Sequence, residues 1–166
     1  MRTTTLLSAL VLVTACSGGG DDDTPTDGPG TTSELDCVEA HDDYAPGLAK
    51  QGLEYTYTML SADPDPPDRG DNTWEIEVTD GAGAPVEGLD LVVEPFMPEH
   101  GHGTNPKTFA ADELGDGVYA FVAIDLFMPG LWQLFVRVDD GSVADVTSTA
   151  APSAVEQAEF RLCIEG

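Results

Sequence analysis

Two imidazoles and two thioethers are the side chains of this sequence with the most definite chemistry. His100 and His102 lie two apart in Phe96-Met97-Pro98-Glu99-His100-Gly101-His102-Gly103, and the tripeptide Phe-Met-Pro recurs at Phe127-Met128-Pro129. Thioether sulfur selects soft cations and imidazole suits copper in either oxidation state. Met97, His100, His102 and Met128 therefore read as a copper site, with Cu(I) favoured. Residues i and i+2 of an extended segment project to one side, so both rings can converge on one ion. The flanking glycines let the chain bend, and Pro98 stiffens the link between Met97 and the histidines. No cysteine accompanies these donors, which argues against a blue-copper electron-transfer centre. Each residue also has a plain alternative. Met97 and Met128 are the kind of side chain that fills gaps in a core beside Phe96 and Phe127, and a His-x-His stands in many loops that bind nothing. The copper reading requires the two corners, remote in sequence, to meet at one rim of the fold with their thioethers clear of the dry interior.

The elements that must position these residues are strands. Tyr55 to Met59 and Trp74 to Val78 alternate apolar with polar residues, the period of a half-buried strand. Between them, Ala62 to Asn72 reads as a loop, because Pro64, Pro66 and Pro67 cannot donate to a ladder. Asp63, Asp65, Asp68 and Asp71 crowd that stretch, but without the EF-hand pattern they are better read as a solvated loop than as a calcium site. Leu89 to Val93 leads into the Met/His stretch, and Thr108 to Ala111 is a short edge strand. Val118 to Leu126 is the longest strand and ends at the second Phe-Met-Pro. Leu131 to Val138, Val143 to Val146 and Phe160 to Ile164 complete the set. Leu35 to Gly52 reads only as a covering segment, a short helix or an irregular cap. Seven or eight short strands with turn signals between them predict an all-β fold, an antiparallel β-sandwich of immunoglobulin-like or cupredoxin-like character. Trp74 and Trp132 are expected in its core.

The 166-residue chain carries a formal charge of -25, which disfavours nucleic acid and anionic membrane surfaces and makes cations its natural partners. At the front, Arg2, the apolar run Leu6 to Val13 and Val13-Thr14-Ala15-Cys16 read as a signal peptide over residues 1–15 that ends in a lipobox, with Cys16 as the lipidated residue. Ser17 after it points to an outer-membrane lipoprotein, facing the periplasm or the cell surface. No later run approaches the ~20 apolar residues that span a bilayer. Residues 16–34, rich in Gly, Asp, Thr and Pro, form a flexible tether, and residues 35–166 form the domain. Cys37 and Cys163 remain, one near each end of that domain, and in an oxidising periplasm they most simply make a disulfide.

Three stretches carry a family resemblance: Asp65-Pro66-Pro67 with Gly70-Asp71-Asn72-Thr73-Trp74; Met97-Pro98-Glu99-His100-Gly101-His102-Gly103; and Phe127-Met128-Pro129-Gly130-Leu131-Trp132. Over about residues 53–140 the chain resembles the YtkA-like domain of bacterial lipoproteins, which is similar to the FixH-like proteins linked to copper delivery. The resemblance implies an extracytoplasmic sandwich with a metal role. Two functions follow. One is a copper-binding lipoprotein acting as chaperone, buffer or sensor, with a copper-accepting envelope protein as partner and the membrane reached through its lipid anchor. The other is a metal-free cell-envelope module that uses the sandwich rim for contacts. With no GxSxG, HExxH or Walker loop, the chain is not expected to be an enzyme.

Overall fold

The computed structural model describes Cys37, residues 41–139 and residues 155–165. The expected signal peptide, the tether, Cys16 and the strand expected at Val143 to Val146 lie outside these residues. All the regular structure among the described residues is β: β1 (Leu48–Gln51), β2 (Thr56–Asp63), β3 (Gly70–Thr79), β4 (Leu91–Met97), β5 (His102–Gly103), β6 (Phe109–Ala110), β7 (Asp112–Gly115), β8 (Val118–Leu126), β9 (Gly130–Val138) and β10 (Gln157–Ile164). Two antiparallel sheets form, in the orders β1-β2-β3-β8-β7 and β10-β9-β4-β5, with β6 also paired to β4. They stack as a sandwich.

The expected core is there. Trp74, Ile76 and Val78 alternate inward from β3, and Trp132, Leu134 and Val136 do so from β9, all at 0% exposure. Burial on both faces explains why β4 and β9 read as near-continuous apolar runs rather than as alternating ones. On the outer face of the second sheet, Glu94 is almost fully buried. It is paired with Lys107 Nζ at 3.1 Å and Arg137 at 3.8 Å, as a buried carboxylate requires. The Lys107 contact ties the segment after β5 back onto β4.

Three expectations need correction. The loop foreseen from Ala62 to Asn72 is shorter, because β2 runs to Asp63 and β3 starts at Gly70. Only the proline stretch is barred from the ladder, whereas Gly70, Asp71 and Asn72 pair with Leu126, Asp125 and Ile124. Arg69-Gly70-Asp71 therefore runs into a strand. The segment near Leu35 to Gly52 contains β1 and no helix among its described residues. It does cover, as expected: Asp42 N donates to Arg161 O at 2.7 Å and Asp42 Oδ2 accepts from Arg161 N at 2.8 Å, capping the open edge of β10. Among the described residues the longest strand is β3, with 10 residues, and not Val118 to Leu126, with 9; four-residue β7, polar and exposed, had no period to reveal it.

Cys37 and Cys163 are disulfide-bonded, with Cα atoms 5.6 Å apart and a sequence separation of 126. The bond fastens the covering segment to the far end of the chain and suggests an extracytoplasmic, oxidising location. No helix of the described residues is long and apolar enough to cross a membrane.

A second long-range tie joins the start of β2 to the residue just before β10. The Glu156 carboxylate accepts from Glu54 N at 2.7 Å and from the buried Tyr57 hydroxyl at 3.0 Å. Burial, reinforced by this neighbouring carboxylate, pushes the Tyr57 phenol above the ordinary tyrosine range. Tyr44 and Tyr119 are raised too, by burial first. With folded-state values raised, the unfolded chain ionises first and binds fewer protons, so stability falls as pH rises past the ordinary tyrosine value of about 10 and is unaffected by these groups below it. Denaturant melts from pH 8 to 11 should show this alkaline loss. In Tyr57→Phe the slope should be shallower by at most one proton, and an unchanged slope would contradict the assignment.

Candidate metal centre

The site grows out of one strand end. Along β4 the inward positions are Leu91, Val93 and Met97, so alternation carries Met97 into the sandwich at the last residue of the strand. A tight turn follows, in which His100 N and Gly101 N donate to Met97 O at 3.3 and 2.9 Å. The chain then returns as β5, with His102 paired to Met97 and Gly103 to Phe96. Residues directly opposite in an antiparallel pair present their side chains on the same face, with Cβ atoms about 5 Å apart. The register thus puts the His102 and Met97 side chains on the same face of the sheet. Gly103 permits this closeness, because a Cβ there would strike the Pro95 carbonyl oxygen.

The second Phe-Met-Pro is the corner by which the chain leaves the first sheet and enters the second, between the end of β8 at Leu126 and the start of β9 at Gly130. Since β9 runs antiparallel to β4 beside it, the start of β9 and the end of β4 share one rim. Two contacts join the corners. The Phe127 ring stacks on His102 with centroids 5.7 Å apart and planes 15° apart. A Cβ at Gly130 would stand 3.0 Å from Met97 Cε, so the methionine methyl occupies the space that a side chain at 130 would need. Phe127 also meets the buried Trp132 edge to face at 5.7 Å, an arrangement that rings favour.

Residues that the motif did not single out hold this corner. Trp132 Nε1 donates to Met128 O at 2.9 Å and Arg69 Nε donates to Phe127 O at 3.0 Å. Arg69 is placed in turn by the buried Asn72, whose Nδ2 donates to Asp68 O and Gly70 O, each at 2.7 Å. The family-like stretch Gly70 to Trp74 thereby connects mechanically to the second Phe-Met-Pro. Carbonyl anchoring of this kind is not visible in a residue pattern.

The four donors are not equivalent. His100 is exposed, with its ring edge-on to His102 at 5.5 Å between centroids. His102 and Met128 are partly buried. Met97 is 1% exposed and belongs to the core, so the requirement that both thioethers stand clear of the dry interior fails at Met97 and is met only by the partly buried Met128. The cause is the parity of β4. His102 Nδ1 lies 3.2 Å from Gly103 O. With the proton on Nδ1, this nitrogen donates to the carbonyl and Nε2 keeps its lone pair for a ligand. Among the described residues no three His, Cys, Asp or Glu side chains are grouped to hold a metal ion, and the further donors proposed beside the two imidazoles are the thioethers. Their residue types fit a soft cation. The carboxylates of the 64–68 loop instead border a separate cleft of about 470 Å3, together with His41, Tyr44 and Glu165, and none of the four donors lines it.

The fold and rim define a two-sheet β-sandwich carrying a Met/His corner. Residues 52–137 match the family described as YtkA-like, a span that includes both Phe-Met-Pro corners, and the chain belongs to that family. Comparison with curated proteins and with solved structures gives no match.

The Gly130 contact yields a test. Gly130 has φ +124°, a region that side-chain-bearing residues avoid, and a new Cβ must also displace Met97. Gly130→Ala should destabilise the fold by about 1–3 kcal/mol in denaturant melts and shift the Met97 ε-methyl NMR signal. A neutral substitution with an unmoved methyl would contradict the contact.

Proposed function

We propose that this YtkA-like protein is an extracytoplasmic lipoprotein, tethered to the outer membrane through Cys16, that binds one copper ion, Cu(I) in preference, as a chaperone, buffer or sensor. Met97, His100, His102 and Met128 are the proposed ligands. The observation that carries the reading is the meeting of the two Phe-Met-Pro corners, with Phe127 on His102 and Gly130 against the Met97 methyl. Two sequence-distant segments meet at one rim of an otherwise strongly acidic chain, and the thioether and imidazole residues they carry are of the types that select Cu(I).

The bound ion would serve as cargo for exchange with a copper-accepting envelope protein, and the chain's own part is to hold and present it. His102 presents Nε2 because Gly103 O occupies Nδ1, and Phe127 fixes the ring plane. Met97 would supply its thioether from the core end of β4, where water is largely excluded, Met128 is partly buried against the core, and His100 stands on the exposed side. The proposal involves no covalent chemistry.

A second reading has one observation in its favour. Met97 is buried as an ordinary core side chain, as it would be in a metal-free envelope module whose rim serves protein contacts. Competition against a coloured Cu(I) chelator separates the two. Wild-type protein should bind one Cu(I), and His100→Ala/His102→Ala should abolish this. Met97→Leu and Met128→Leu should each weaken it by about tenfold or more. Leucine conserves core volume, which keeps the stability change below about 1.5 kcal/mol, whereas alanine would cost about 2–5. Chelator colour unchanged by wild-type protein would favour the metal-free module.

A further inference from the structure

The proposed ligands differ in how firmly the fold holds them, and this difference carries an inference that rests on the copper reading. Met97 is fixed by the core and by Gly130. His102 is fixed by its strand pairing with Met97, by the face of Phe127 and by the contact of Nδ1 with Gly103 O. The backbone at Met128 is fixed by Trp132. His100 differs. Its backbone closes the turn, but its side chain is exposed, and its ring contact among the described residues is the edge of His102.

We propose that His100 is the exchange ligand of this site, the one displaced when copper passes to an acceptor, while Met97 and His102 retain the ion until a replacement donor has bound. Exposed side chains change rotamer in picoseconds to nanoseconds, so His100 can swing away without disturbing β4 or β5. Its departure opens one coordination position on the solvent side. An acceptor with an exposed soft donor, whether thioether, imidazole or thiolate, fills that position. The bond from His100 nitrogen to copper breaks, the bond from the incoming donor forms, and the oxidation state is unchanged. A thiol acceptor releases its proton to water or to the freed imidazole. The partner this fits is an extracytoplasmic protein whose own copper ligands reach the surface, because the retained ligands cannot advance to meet it.

The test separates binding from handover. Wild-type protein, His100→Ala and His102→Ala are loaded anaerobically with one equivalent of Cu(I) and mixed with bicinchoninate in a stopped-flow instrument, with affinities measured separately at equilibrium. The wild-type rate should rise with chelator concentration. His100→Ala should keep one-to-one binding, lose less than about tenfold in affinity and release copper about tenfold faster or more. His102→Ala should lose one-to-one binding. Release from His100→Ala at the wild-type rate, or equal affinity losses in the two variants, would overturn the assignment of His100 while leaving the copper site in place. A wild-type chain that takes up no Cu(I) overturns the copper reading itself and the inference with it.

Discussion

The antiparallel pairing of β4 with the two-residue strand β5 sets His102 opposite Met97, and the contacts of His102 with Phe127 and His100 depend on that register. A slip of one residue would turn His102 to the face opposite the Met97 side chain. The register is held at three points: the turn amides bond the Met97 carbonyl, Gly103 accepts the close approach of Pro95, and Phe127 closes over the imidazole. The stacking is supported in turn from the first sheet, through Asn72, the 68–70 segment and Arg69. The rim is therefore a joint between the two sheets, and its geometry depends on how they stack.

Burial of Met97 limits what the rim can do. A thioether with almost no exposure cannot reach out for an ion, so the copper proposed here would have to come down to it, past His100 and Met128. Such a floor suits retention more than capture. It leaves recruitment to the exposed imidazole and to the field of a strongly negative chain, which concentrates cations near the surface. In the metal-free alternative the same methionine simply fills the end of the core and Phe127 becomes the exposed element of the rim, at 38% exposure.

Much of the fold was legible because its long strands have a clear period. Trp74 to Val78 is read from alternation and lies within β3, Val118 to Leu126 has in the structure the boundaries read for it, and the apolar runs of β4 and β9 announce strands covered on both sides. The short, polar β1 and β7 have no such signal, and the proline-rich loop was read too long because Asn72 looks like a loop residue until its side chain is seen bonding the turn. The donor types were visible in the sequence, whereas their depth was not read from it. Counting by twos from Leu91 and Val93 puts Met97 inside, although the Met-Pro-x-His spacing draws attention to a loop. The roles of Arg69 and Gly130 arise from contacts between segments distant in sequence, and that of Trp132 from a bond to the Met128 carbonyl, none of which a residue pattern encodes.

The central claim concerns which sulfurs meet the ion, and the chain provides its own control in Met59, a core methionine of β2 at 0% exposure. With methionine ε-methyls labelled with carbon-13, one equivalent of Cu(I) should shift the signals of Met97 and Met128 and leave that of Met59 in place. Shifts absent from Met97 and Met128, or spread equally to Met59, would contradict the account.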